Sequence, residues 1–239
     1  MQAFLAILRY DLGLLMRSWI TRIWVPMLMV FALALVAVAA NEDELASETL
    51  AFYLRAVLIP VSGLAVAVLS CAAVSGESGV IADSILSRSV NRSEYMAAKI
   101  VSRLGLTAAI YALVMIPFAY LIIRYAAPDT SIGGVAVGLL LVALLLTFLG
   151  ALGITFSTVF PNVLMAVLVL LLIVIVFQGA ILQFLGLTWM STTAVVTSLP
   201  DTFRGATPIW DLVRIFLVFS SLTAAAIATS FWVFRERDL

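Results

Sequence analysis

The residues best suited to chemistry lie in one charged stretch between two apolar runs. Gly76-Glu77-Ser78-Gly79 is followed by Asp83-Ser84-Ile85-Leu86-Ser87-Arg88-Ser89-Val90-Asn91-Arg92-Ser93-Glu94-Tyr95, then by Lys99 and Arg103. Carboxylates, guanidiniums and hydroxyls at this density suit recognition of another charged surface. They make no visible acid–base–nucleophile set, so a membrane enzyme is the weakest reading. His is absent and the single Cys, Cys71, lies in an apolar run, so no disulfide or zinc site follows. No Gly-rich loop ending in Lys-Ser/Thr occurs, so no nucleotide is expected to bind by that route.

Within residues 79–88, Ile81, Ala82, Ile85 and Leu86 fall on one arc of a helix, and Asp83, Ser84, Ser87 and Arg88 on the other, with Val80 as the exception. The spacing predicts a short amphipathic helix of about ten residues. Residues 89–93 break it. Ser93 is expected to cap a new helix, with Glu94 in its first turn, that runs through Lys99 into the next apolar span.

Those spans set the frame. Hydrophobic residues make up 64% of the 239 and charged ones 11%, more apolar surface than a soluble domain of this length can hide. The reading is an all-α integral membrane protein, one domain over residues 1–239. A crossing helix needs about 20 mostly apolar residues. Six stretches qualify: 23–40, 56–75, 104–123, 135–159, 163–185 and 212–234. Residues 37–40, Ala-Val-Ala-Ala, resemble a signal-peptidase site, but the long basic leader and long apolar run argue for an uncleaved first span.

Basic residues orient the set. Arg9, Arg17, Arg22, Arg88, Arg92, Lys99, Arg103, Arg235 and Arg237 collect on one side, against Arg55, Arg124, Arg204 and Arg214 on the other. This bias is expected to put both termini and the charged stretch in the cytoplasm, with Glu42, Asp43, Glu44 and Glu48 outside. Trp19, Trp24 and Trp232 then fall at the inner boundary and Trp189 and Trp210 at the outer, as interfacial anchors. Residues 4–20 read as a helix lying in the inner interface. Arg9 and Arg17 share its polar face and Asp11 interrupts the apolar one.

No ionisable residue sits centrally in any span, which argues against a proton- or sodium-coupled carrier. Gln178 and Gln183 either line a substrate path or hydrogen-bond a neighbouring helix, and the packing reading is preferred; such bonds contribute about 0.6 kcal/mol on average. Gly134 and Gly138, then Gly150 and Gly153, have the spacing of close helix contacts. Pro117 is expected to bend the third span.

Gly76-Glu77, the run Leu86-Ser87-Arg88-Ser89-Val90-Asn91-Arg92, Glu94-Tyr95 and Lys99 resemble the signature stretch of ABC-2 type permeases, the membrane subunits of ABC exporters. Ser89 stands where that pattern has Pro, and Ile85-Leu86 replaces Leu-Leu. The closing Phe234-Arg235-Glu236-Arg237-Asp238-Leu239 resembles the family's basic tail, and the six spans with an N-terminal interfacial helix match its layout. The resemblance implies a bacterial or archaeal inner-membrane protein. Its partners would be a cytoplasmic ATP-binding subunit that holds ATP and Mg, a second permease copy or paralogue, and membrane lipid, with no nucleic acid. It implies that a cytoplasmic coupling helix between the second and third spans, residues 79–88, enters a groove of that subunit. Glu77, Gly79, Asp83, Leu86, Arg88 and Arg92 would form the coupling region. It also implies that residues 186–211 form external helices, as an outer gate or lid. Haem-exporter-type permeases share the span number, but His is absent here. An ATP-independent channel or scaffold is the other alternative.

Overall fold

The structure is a computed structural model and describes residues 2–76 and 91–236. Those residues are almost all helical, with short connections and a lone bridge between Leu45 and Ala127. In chain order the helices are α1 (Gln2–Arg17), α2 (Trp19–Glu42), α3 (Ala46–Tyr53), α4 (Ile59–Ser75), α5 (Arg92–Tyr125), α6 (Ile132–Val159), α7 (Val163–Val176), α8 (Leu182–Phe184), α9 (Thr192–Thr197), α10 (Leu199–Arg204) and α11 (Ile209–Glu236). Single π turns, Leu54–Leu58 and Phe177–Ile181, join α3 to α4 and α7 to α8.

Polar residues placed before apolar runs start these helices. The side chains of Ser18, Asn91, Ser131, Asn162 and Ser191 each accept a bond from a backbone N–H two or three residues on, satisfying a donor that has no partner within the helix. The cap of α5 is therefore Asn91, two residues before the expected Ser93. Glu94 does lie in the first turn.

Among the described residues, five helices are long and apolar enough to cross a membrane: α2, the continuous α3–α4 rod, α5, α6 and α11. The second begins at Ala46, ten residues before the expected start at 56, and takes in Arg55. The stretch expected as the fifth of six spans is interrupted. α7 has 14 residues, about 21 Å at 1.5 Å per residue, short of a hydrocarbon core about 30 Å thick. Only with the π turn and α8 does the rod reach Phe184. α5 runs through Pro117 as one helix.

Pairwise contacts fix the directions. Thr155 Oγ1 of α6 donates to the Ala226 carbonyl of α11 at 2.8 Å, and Phe148 meets Phe219 edge-on at 5.6 Å. The numbering rises together on both helices, so α6 and α11 are parallel neighbours, and residues 160–208 return the chain between them. α7 starts beside Cys71 and Ala67 of α4, and its Val174 borders the same small cavity as Ile59 and Gly63. It therefore runs antiparallel to α4.

The glycines of α6 admit its neighbours. A Cβ on Gly153 would lie 2.7 Å from Ser70 Cβ, and one on Gly150 would lie 2.7 Å from Leu104 Cδ2. At Gly134 it would run into the carbonyl oxygens of Thr202 and Phe203, and at Gly138 into the Phe203 ring. Close approach replaces hydrophobic driving force between helices where the surroundings are themselves apolar.

Candidate functional site

Two polar clusters lie at opposite ends of α5. The first is at the end that holds both termini. Asp11 of α1 is fully buried; its carboxylate accepts from Lys99 Nζ at 2.8 Å, from Arg103 Nη2 at 3.2 Å and from the Ser102 hydroxyl. Lys99 also lies 5.5 Å from the Tyr95 ring centre, and that ring stacks on Phe234 of α11 at 5.6 Å. Arg92 donates to the Arg235 carbonyl at 3.2 Å. Buried cations are tolerated only when a carboxylate and hydrogen bonds replace their water.

Here the expected picture of the N-terminal helix is corrected. Asp11 does not break up a membrane-facing surface; it points into α5, and α1 is bound to the bundle through it. Arg9 and Arg17 are exposed, as a polar face requires. Trp24 is corrected as well. It is buried and donates to Ser62 Oγ at 3.0 Å, an interhelical bond and not an interfacial anchor. Trp19, Trp210 and Trp232 are exposed at helix ends.

On the same end, Ser157 of α6 accepts from the backbone N–H groups of Val74 and Ser75, at 2.7 and 3.0 Å. This holds the last turn of α4 just before residue 77. Glu77, Gly79, Asp83, Leu86 and Arg88 lie outside the described residues. Arg92 is described, at the exposed start of α5. Gln178 falls in the second π turn and Gln183 in α8, with their side chains outside the description.

The second cluster is centred on Asp129. It accepts from the Ser47 N–H at 2.8 Å and from the Ser47 hydroxyl, capping α3, and from Arg204 Nε at 3.0 Å. Arg204 Nη2 also donates to Glu48 at 2.6 Å. Burial pushes the Asp129 carboxyl up, but the Ser47 bonds and Arg204 outweigh it and hold it below its usual 3.8. α9 and α10 sit beneath, with Val195, Leu199 and Phe203 buried against the bundle. Residues 188–204 are thus packed on α6.

A carboxyl held low in the folded chain stabilises it above the unfolded value, and that contribution is lost as pH falls through the folded one. Protection factors for amide exchange at Ser47 and residues 199–205, each rate divided by its intrinsic value at that pH, should therefore stay high near neutrality and fall below pH 3.8. Asp129→Asn should show the lower protection at every pH. Wild-type protection that is flat down to pH 2 would show that Asp129 does not hold this corner.

Sequence reasoning did not join Asp11 to α5 or Arg204 to Glu48 and Asp129. The one available signal was a lone carboxylate on an apolar helix face together with Lys99 and Arg103 at four-residue spacing. Among the described residues no three His, Cys, Asp or Glu side chains gather as a metal site. What the first cluster can do is mechanical: it fixes α1, α5 and the end of α11 as one unit, in which α5 is the first described helix after residue 90.

No protein-family model matches the chain, and no curated protein matches it.

Proposed function

We propose that the chain is the membrane subunit of an ATP-driven exporter of the ABC-2 type, joined through residues 79–88 to a separate cytoplasmic ATPase. The observation that carries this reading is how residues 77–90 are bounded. They leave α4 where Ser157 holds Val74 and Ser75, and rejoin at α5, which Asp11 and Arg235 tie to α1 and α11. A motion applied between two such fixed points moves whole helices, as coupling of distant sites requires.

In this reading residues 163–185 make the fifth of six crossings. The parallel run of α6 and α11 supports it, because the chain must return between them. The arginine and lysine bias assigns the end with the termini to the cytoplasm. The export cargo is lipid-like or amphipathic, given the apolar walls between helices.

Co-expressed with the ATPase encoded beside it, the chain should purify as a complex in detergent. Reversing charge at both Asp83 and Arg88 should weaken that complex about tenfold or more and abolish stimulation of ATP hydrolysis, with membrane insertion unchanged. Unchanged association, or labelling of residues 80–95 from outside the cell, would overturn the reading.

A further inference from the structure

An apolar cavity of about 200 Å³ opens between α7, its π turn and α11. Buried Phe219 and Leu182, with half-buried Phe148 packed edge to face on Phe219, form its floor. Ile173, Phe177 and Leu222 form the rim, and each is about 40% exposed on the outside of the bundle. Its described lining is carbon and thioether only. A second void of about 120 Å³ adjoins it, sharing Phe148, Leu152 and Val174. Cavities of about 150 Å³ with such walls stay dry and accept hydrocarbon. The π turn makes the opening: Leu182 N–H reaches back to the Phe177 carbonyl, one residue beyond the α-helical partner. Such turns occur often at functional sites.

A cation lies on α11 one to two turns before the cavity's Phe219 and Leu222. Arg214 of α11 is exposed, and its guanidinium lies 3.5 Å from the ring centre of Trp189. Trp189 precedes Met190, which lines the cavity. Among the described residues no carboxylate lies within ion-pair distance of Arg214. It precedes Phe219 by five residues and Leu222 by eight, about 8 and 12 Å along the helix. A guanidinium stacked on an aromatic ring keeps its in-plane N–H donors for an oxyanion such as phosphate.

We propose that one phospholipid binds here, with its phosphate on Arg214 and an acyl chain entering past Phe177 and Leu222 into the cavity. An opening at the exposed rim, an apolar interior and an exposed cation with no carboxylate near it among the described residues together match an amphiphile with one anionic end. The inference rests on the chain spanning a bilayer and not on any ATPase partner.

The test uses the full chain in nanodiscs containing a phospholipid with a photoreactive group midway along one chain, with adducts mapped by mass spectrometry. Adducts should concentrate on Phe148, Leu152 and Met190. Leu152→Trp, which fills the cavity, should cut them about tenfold. Leu222→Trp, which blocks the exposed rim, serves the same purpose should the first variant fail to fold. Arg214→Gln should reduce retention of the phospholipid through detergent washing about tenfold, as expected for loss of a charge-assisted bond. A photoreactive fatty-acid methyl ester, lacking phosphate, should be insensitive to Arg214→Gln. Adducts spread evenly over α2, α7 and α11, or unchanged in both Trp variants, would overturn the proposal. Equal retention with Arg214→Gln would remove the headgroup from it. Failure of the chain to resist carbonate extraction would instead refute the membrane reading.

Discussion

Asparagine in place of Asp11 should destabilise the chain by about 3–5 kcal/mol, the range for removing one partner from a buried ion pair. The reason is local. Asp11 is the carboxylate that two buried cations, Lys99 and Arg103, both touch, and Ser102 donates to its other oxygen. Asn keeps the shape and removes the charge. Cys71 is the only cysteine and is buried, so a thiol-reactive dye in detergent reports unfolding directly. The thermal midpoint should fall steeply for Asp11→Asn, whereas Arg9→Gln and Arg17→Gln, on exposed positions of the same helix, should stay within about 0.5 kcal/mol of the parent. Asp11→Leu combined with Lys99→Met and Arg103→Leu should recover much of the loss, since an apolar triad of similar volume is tolerated better than buried cations left without their carboxylate. A midpoint for Asp11→Asn equal to that of the two arginine variants would mean that α1 is held by its apolar contacts alone.

How much of this was legible in the sequence depends on the range of the interaction. Helix type follows from runs of apolar residues and was readable locally; helix starts were readable only to within a residue or two, as the cap at Asn91 in place of Ser93 shows. The glycines of α6 were readable as small-residue spacing, although only the fold assigns Gly153 to α4 and Gly138 to Phe203. The first ten residues of the α3–α4 rod fell before the expected span because Ser47, Glu48, Thr49 and Arg55 are polar. They are helical because Asp129, more than eighty residues away, caps them. Asp11 and Lys99 were each visible as exceptions, but nothing in a linear pattern pairs groups so far apart. The π turns had no signal at all, since an extra residue in a turn leaves the apolar character of the run unchanged.

Both clusters depend on α5. Its first turns hold Asp11, and the loop after its last turn carries Asp129, which Arg204 links to α10. Arg103 and Arg124 are 21 residues apart on this helix, with no charge between them, about 32 Å, close to the thickness of a bilayer's hydrocarbon core. A single rod thus joins the end that holds the Asp11 cluster to the cap made by α9 and α10. Any displacement of α5 along its axis must either carry the cap with it or break the Arg204 contacts.

The seat of that cap gives the second large effect. Phe203 is fully buried, with its ring against Gly138 of α6. Phe203→Ala should destabilise the chain by about 3–5 kcal/mol, as deletion of a buried aromatic ring does. Gly138→Ala should also destabilise, by about 1–3 kcal/mol, because the added methyl overlaps the ring and α6 cannot retreat from α10 while Gly134 touches the Thr202 and Phe203 carbonyls. The informative measurement is the double variant. With the ring gone, the methyl at 138 enters the space the ring occupied, so Gly138→Ala should become neutral or slightly stabilising in the Phe203→Ala background. The dye assay then gives a coupling energy of the same size as the single Gly138→Ala effect. Additive losses would mean that Gly138 is required by some neighbour other than Phe203, and that α10 is not keyed into α6 at this position.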